Sequence, residues 1–212
     1  FSSNRFVAIM SGTLVTAVIQ SSSATTVMVV GFINAGLLNL MQAIGIIFGA
    51  NIGTTITAQL IAFDIGWLIM PAIAIGVLFC FITHPALRGW GDTILGFGFL
   101  FFGMSIMSSE LKVLAQNQEF IAFFQTFNCA PQNGSLPPGA VFGAIGIGVL
   151  VTMLVQSSSA CSGIVIALGA SGLIDLYTAV ALILGSNIGT TITAQIAAIP
   201  ANRVAKQAAL AH

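Results

Sequence analysis

Gln20-Ser21-Ser22-Ser23-Ala24 and, further on, Asn51-Ile52-Gly53-Thr54-Thr55-Ile56-Thr57-Ala58-Gln59 decide the fold, because both phrases occur twice. The first returns as Gln156-Ser157-Ser158-Ser159-Ala160, and the second returns unchanged as Asn187 to Gln195. At a constant offset of 136, residues 12–62 match residues 148–198 at 26 of 51 positions without a gap. Hydroxyls and carboxamides duplicated inside apolar sequence suggest a transport site built where two repeats meet.

The surroundings of these phrases define their solvent. The chain is 57% hydrophobic and 5% charged, with a mean hydropathy of +1.06. Soluble domains are nearer a quarter charged. Charged residues are missing from Phe6 to Phe63 and from Phe120 to Ile174, and about 20 apolar residues suffice for one crossing. The fold class is therefore all-α integral membrane. Zero net charge argues against a nucleic-acid partner. Cys80 and Cys161 lie in apolar sequence and Cys129 lies in a polar loop, so they form neither a disulfide framework nor a metal site. Cys129 is left to pair with something outside the chain. The opening Phe1-Ser2-Ser3-Asn4-Arg5 lacks a start Met and a signal-peptide layout, as expected for a segment of a longer protein.

Six embedded segments are expected. Residues 6–33 are interrupted at Gln20 to Ser23 and residues 40–63 at Gly49 to Thr55; 139–169 and 176–199 repeat them. Ile65–Thr83 and Gly91–Ser109 read as ordinary spanning helices, and 110–138 as the longest polar connection. Broken backbone at membrane depth must be buried in protein or line a wet cavity. The economical reading makes 6–33 a re-entrant helical hairpin and 40–63 a spanning helix unwound near Gly49 to Thr55. This divides the chain into 1–64 (first repeat), 65–138 (linking helices and an extracytoplasmic loop) and 139–212 (second repeat). Gly45, Gly49 and Gly53, matched by Ala181, Gly185 and Gly189, have the spacing that lets membrane helices approach closely.

If the hairpins do not cross, three crossings separate the two repeats, and three is odd. The repeats are then inverted. Arg5, Arg88, Arg203 and Lys206 fall on one side and Lys112 on the other, which places the first side in the cytoplasm. Asn133-Gly134-Ser135, on the outer side, fits a glycosylation acceptor but reads more simply as an Asn-Gly turn.

Serine is a good helix N-cap, so Ser21–Ser23 and Ser157–Ser159 each start the second arm of a hairpin. Free N–H groups there carry about half a positive charge, which suits an anion without any Arg or Lys. With Gln20 and Gln156 they make a donor-rich cage for a tetrahedral oxyanion. The second phrase supplies neutral oxygen for a hard cation: Asn51, Thr54, Thr55, Thr57 and Gln59, with Ser186, Asn187, Thr190, Thr191, Thr193 and Gln195. An isolated membrane Ser or Thr usually bonds only to a nearby carbonyl, but two duplicated phrases outweigh that. Asp64 is either an intramembrane acid with a role or a turn residue that meets water. Enzyme chemistry at the serines would need a base, and the histidines, His84 and His212, lie outside both phrases.

These paired phrases resemble the type II sodium–phosphate cotransporter family and its bacterial relatives. The resemblance implies inverted repeats, sodium-driven phosphate uptake and a phosphate site from both Gln-Ser-Ser-Ser phrases. It also implies sodium ligands near Ser186, Thr190 and Thr193, with Thr57 and Asp64 from the first copy. Together with the chemistry above, the expected phosphate site is Gln20, Ser21, Ser22, Ser23, Gln156, Ser157, Ser158, Ser159, Asn51 and Asn187. The expected sodium site is Thr54, Thr57, Gln59, Asp64, Ser186, Thr190, Thr193 and Gln195. The partners are phosphate, sodium as coupling ion, the lipid bilayer and, as a homodimer, a second copy. No organic cofactor is implied, and the location is a bacterial inner membrane. The family's helices before the first hairpin and after the second repeat are missing here. The alternative is an ion channel, with Gly-Thr-Thr backbone lining its path, or a carrier of another oxyanion.

Overall fold

The computed structural model describes residues 4–63, 66–131 and 134–212, without the side chains of Thr57, Leu60 and Ile61. Asp64 and Asn133, both singled out in the sequence, lie outside the described residues. Ten helices carry the described chain: α1 Arg5–Ile19, α2 Ser22–Asn34, α3 Leu40–Ala62, α4 Gly66–Cys80, α5 Pro85–Leu114, α6 Gln118–Gln125, α7 Pro138–Val155, α8 Ser158–Ala170, α9 Leu176–Ala198 and α10 Arg203–Ala211. Three of them, α5, α7 and α9, are long and apolar enough to cross a membrane by length and composition.

Local chemistry sets the breaks. Gln20 ends α1 in the left-handed region at φ 59°, and Ser21 caps α2 by accepting from the Ala24 N–H at 3.2 Å. Gln156 (φ 58°) and Ser157 repeat this between α7 and α8, with the Ala160 N–H at 3.2 Å. A non-glycine residue rarely takes this conformation, so its recurrence in both copies marks a built turn. The arms are short. α1 has 15 residues and α2 has 13, about 22 and 20 Å against a hydrocarbon core of about 30 Å.

Glycines record how the arms pack. A Cβ on Gly45 would lie 2.7 Å from that of Ala8, one on Gly49 would strike the Ile9 carbonyl, and one on Gly53 would lie 2.7 Å from the Thr13 carbonyl oxygen. Both partners advance together, so α1 and α3 run side by side in the same direction. α3 begins level with the start of α1, and α2 must therefore carry the chain back. α7, α8 and α9 repeat the pattern, with Gly185 against Ile145 and Gly189 against Val149 and Thr152. α4 and α5 run in opposite directions, with Gly76 against Leu95, Gly91 against Phe79 and Gly98 against Ile73.

The copies exchange contacts reciprocally: α2 packs on α9, and α8 packs on α3. Ala194 and Ala198 near the end of α9 share a core with Val29, Val30 and Ile33 of α2 and with Ala43, Ile46 and Ile47 of α3. The Asn202 N–H donates to the Asn34 side-chain oxygen at 2.8 Å. At the other end, Ala62 and Phe63 border a cavity of about 410 Å³ together with Ile166, Ala167 and Ala170 of α8. α3 thus ends beside the end of α8, and α9 ends beside the end of α2.

Several sequence expectations need correction. The second segment of each repeat is unbroken: α3 and α9 are each a continuous helix of 23 residues. The glycines expected to unwind it instead form the seam against α1 or α7. The hydroxyls bond back within the helix, Thr54 to the Ala50 carbonyl at 3.1 Å and Thr190 to that of Ser186 at 2.9 Å. α5 starts at Pro85, where the fixed proline φ suits a first turn, so the connection expected between the spans ending at Thr83 and starting at Gly91 is helix from Pro85 onward. The 110–138 connection holds α6. Cys129 is not available to an outside partner: it is 1% exposed, its N–H donates to the Thr178 hydroxyl at 3.0 Å, and its thiol meets the Phe127 carbonyl. Gly134 takes φ 81°, as an Asn-Gly turn requires.

Candidate functional site

The two phrases meet in the second copy. With α7 and α9 in parallel, residue 156 falls level with residue 193, and the Thr193 hydroxyl donates to the Gln156 side-chain oxygen at 2.7 Å. The Gln156 amide in turn donates to the Met153 carbonyl at 2.6 Å, which fixes which end faces Thr193. One N–H of that amide remains for a ligand. Gln20 holds itself in the same way, donating to the Ala17 carbonyl at 2.5 Å.

Beyond each Gln, a serine-capped helix begins. Ser22 is 6% exposed and Ser158 is 8% exposed, while Ser21, Ser23, Ser157 and Ser159 are half-buried. The first turns of α2 and α8 contain no acidic residue, so nothing within them opposes an anion drawn to their N–H groups.

The cation candidates divide. Thr54 and Thr190 donate their hydroxyl protons to carbonyls of their own helices, so what they offer outward is lone pairs, as a hard cation needs. Ser186 is buried, 2% exposed. Gln195 is drawn elsewhere, its amide donating to the Ala209 carbonyl at 2.7 Å. Asn51, Asn187 and Gln59 are exposed, and His212 Nε2 lies 3.3 Å from Asn51 Oδ1. The Thr57 side chain and Asp64 lie outside the described residues. Among the described residues no group of three or more His, Cys, Asp or Glu side chains could hold a metal ion, and the oxygens that the two phrases present are hydroxyls and carboxamides.

Sequence reasoning missed the buried threonines around the tips. Thr16 donates to the Thr25 hydroxyl at 3.0 Å, and Thr25 donates to the Ser21 carbonyl at 3.1 Å. This relay ties the first arm to the serine turn. Thr152, the counterpart of Thr16, donates instead to Ser186 on α9 at 2.9 Å, because Cys161 stands where Thr25 would and Ser186 where Ala50 would. The signal was present, since Thr16 and Thr152 are identical at the same offset of 136.

Comparison with known proteins adds an independent line. The Na+/Pi-cotransporter family matches residues 1–109 and 139–211. The "Uncharacterized protein YqeW" of Bacillus subtilis is 35% identical over 200 residues, which cover 93% of this chain and 61% of that protein. The "Putative inorganic phosphate export protein YjbB" of Escherichia coli is 29% identical over 204 residues, 96% of this chain and 36% of its own length. The human "Sodium-dependent phosphate transport protein 2B" is 35% identical over 127 residues, 58% of this chain and 16% of that protein. No solved structure matches the chain.

Proposed function

The chain belongs to the Na+/Pi-cotransporter family, and from that premise we propose that it is the substrate-binding core of a secondary transporter coupling sodium entry to phosphate uptake. Phosphate binds between the two serine-capped tips, on Gln20, Ser21–Ser23, Gln156 and Ser157–Ser159, with Asn51 and Asn187 beside them. Sodium is held by Thr54, Thr57, Ser186, Thr190 and Thr193. The sodium charge offsets that of the anion at tips whose phrases carry no Arg or Lys. In this reading the hairpins are re-entrant, residues 1–64 and 139–212 are inverted repeats, and 65–138 links them in a multi-pass inner-membrane protein. The reciprocal ends of α3 with α8 and of α9 with α2 support the inversion, as does the gathering of Arg5, Arg88, Arg203 and Lys206 on one predicted side.

The observation that carries the reading is the Thr193–Gln156 hydrogen bond. It links a donor-rich tip to an acceptor-rich helix, so a cation on the Thr193 oxygen polarises the hydroxyl that holds the Gln facing the anion. Uptake of radiolabelled phosphate into proteoliposomes holding the full-length protein tests the claim. A sodium gradient should drive accumulation and a potassium gradient should not. Equal uptake in both would overturn the coupling, and flux only outward would place the protein with the relative named for export.

A further inference from the structure

Thr26 is fully buried, 0% exposed, and its hydroxyl has no hydrogen-bond partner among the described residues. A buried hydroxyl without a partner is rare and costly. Other threonines of these helices avoid the cost by bonding to the carbonyl one turn back, as Thr13, Thr25, Thr54 and Thr190 do. Thr26 could reach Ser22 in the same way and does not.

Its direction follows from packing. On α2, Thr26 shares a face with Val30 and Ile33, four and seven residues on. On α9, Thr190 shares a face with Ala194 and Ala198. These two faces form one core, and the helices are tied beyond it by Asn34 and Asn202. α2 and α9 touch, and continuing each face one turn back leads from Val30 to Thr26 on α2 and from Ala194 to Thr190 on α9, which is 5% exposed. The unbroken α3 and α9 sharpen the need for such a group. Their carbonyls stay within helical hydrogen bonds, so the stretch expected to be unwound near Gly49 to Thr55 frees no backbone oxygen for a cation. The oxygens must come from side chains.

We infer that the Thr26 hydroxyl is a sodium ligand, completing with Thr190 a cation site across the contact between α2 of one repeat and α9 of the other. This rests on the sodium-coupled reading above. Thr26 coordinates through its oxygen and turns its proton away from the ion, and Thr190, whose proton is held by the Ser186 carbonyl, does likewise. Ser162, at the equivalent place in α8, keeps a hydroxyl at the same point of the second copy.

The test uses the full-length protein with Thr26→Val, which keeps the shape, and Thr26→Ser, which keeps the hydroxyl. Thr26→Val should raise the sodium concentration for half-maximal phosphate uptake about tenfold, the loss expected for one well-made polar contact. The phosphate KM at saturating sodium should stay at the wild-type value, and Thr26→Ser should restore sodium dependence. A Thr26→Val protein with wild-type sodium activation, or with only its phosphate KM changed, overturns the inference. Thermal unfolding in detergent with sodium chloride against choline chloride separates it from the transport reading. Sodium should stabilise the wild type and Thr26→Ser, and stabilise Thr26→Val less. That pattern without sodium-driven uptake would sink the transport reading and leave the site standing; a wild type indifferent to sodium would remove the site.

Discussion

The Thr193 hydroxyl donates to the Gln156 side-chain oxygen at 2.7 Å across 37 residues of sequence. The residue that ends the first arm of a hairpin is thereby held by the long helix that follows it. Because the Gln156 amide also anchors to Met153, its head-group has one orientation, with its acceptor toward Thr193.

Thr193→Val and Gln156→Ala should each cut phosphate transport by about tenfold or more, and the double variant should be no worse than the more damaging single one. The coupling energy then equals the smaller single loss, about 1.4 kcal/mol for a tenfold effect. Additive losses in a double-mutant cycle of initial rates would show that the two side chains act separately.

Gly49→Ala and Gly185→Ala should destabilise the protein by about 1–3 kcal/mol, the range for overpacking. A methyl there meets the carbonyls of Ile9 and Ile145, backbone that cannot swing aside. Gly31→Ala is the control: nothing lies within 4 Å of its missing Cβ, so alanine should gain about 0.5–1 kcal/mol in the helix. Thermal unfolding in detergent ranks the three, and a Gly49→Ala protein as stable as wild type would contradict the seam.

Much of this arrangement was legible in the sequence, and the reason is local. Gln20 and Gln156 interrupt apolar helices just before serines that cap the next ones, so each turn could be placed within the four residues of a Gln-Ser-Ser-Ser run. The continuity of α3 and α9 could not. Gly49, Asn51, Gly53 and Thr54 are poor helix formers, and propensity alone reads them as a break. What overrides propensity is α1 lying against that glycine face, a contact invisible until the direction of α1 is known. The burial of Cys129 depends likewise on a bond to Thr178, 49 residues away.

Ser22→Ala and Ser158→Ala should abolish phosphate uptake while membrane expression persists. Ser21→Ala and Ser157→Ala, which remove the caps at Ala24 and Ala160, should add a stability loss of about 1 kcal/mol. Wild-type uptake in both Ser22→Ala and Ser158→Ala would remove the tips from the substrate site.

Asn202→Ala should lower stability by about 1–2 kcal/mol, since it removes the α10 cap on the Ala205 N–H (2.9 Å) and the bond to the Asn34 carbonyl (3.3 Å). Asn202→Asp keeps the cap and loses only the second bond, so it should fall between the two in a thermal-melt series.

The unequal hydroxyl pairs have a consequence for the balance of states. Thr16 latches the first hairpin to itself, whereas Thr152 latches the second to the long helix beside it. The two hairpins are therefore not energetically interchangeable, and in the proposed carrier the states that release one latch or the other need not be equally populated. Divergence at Cys161 and Ser186 thus leaves a duplicated unit whose two halves are alike in outline and fastened differently.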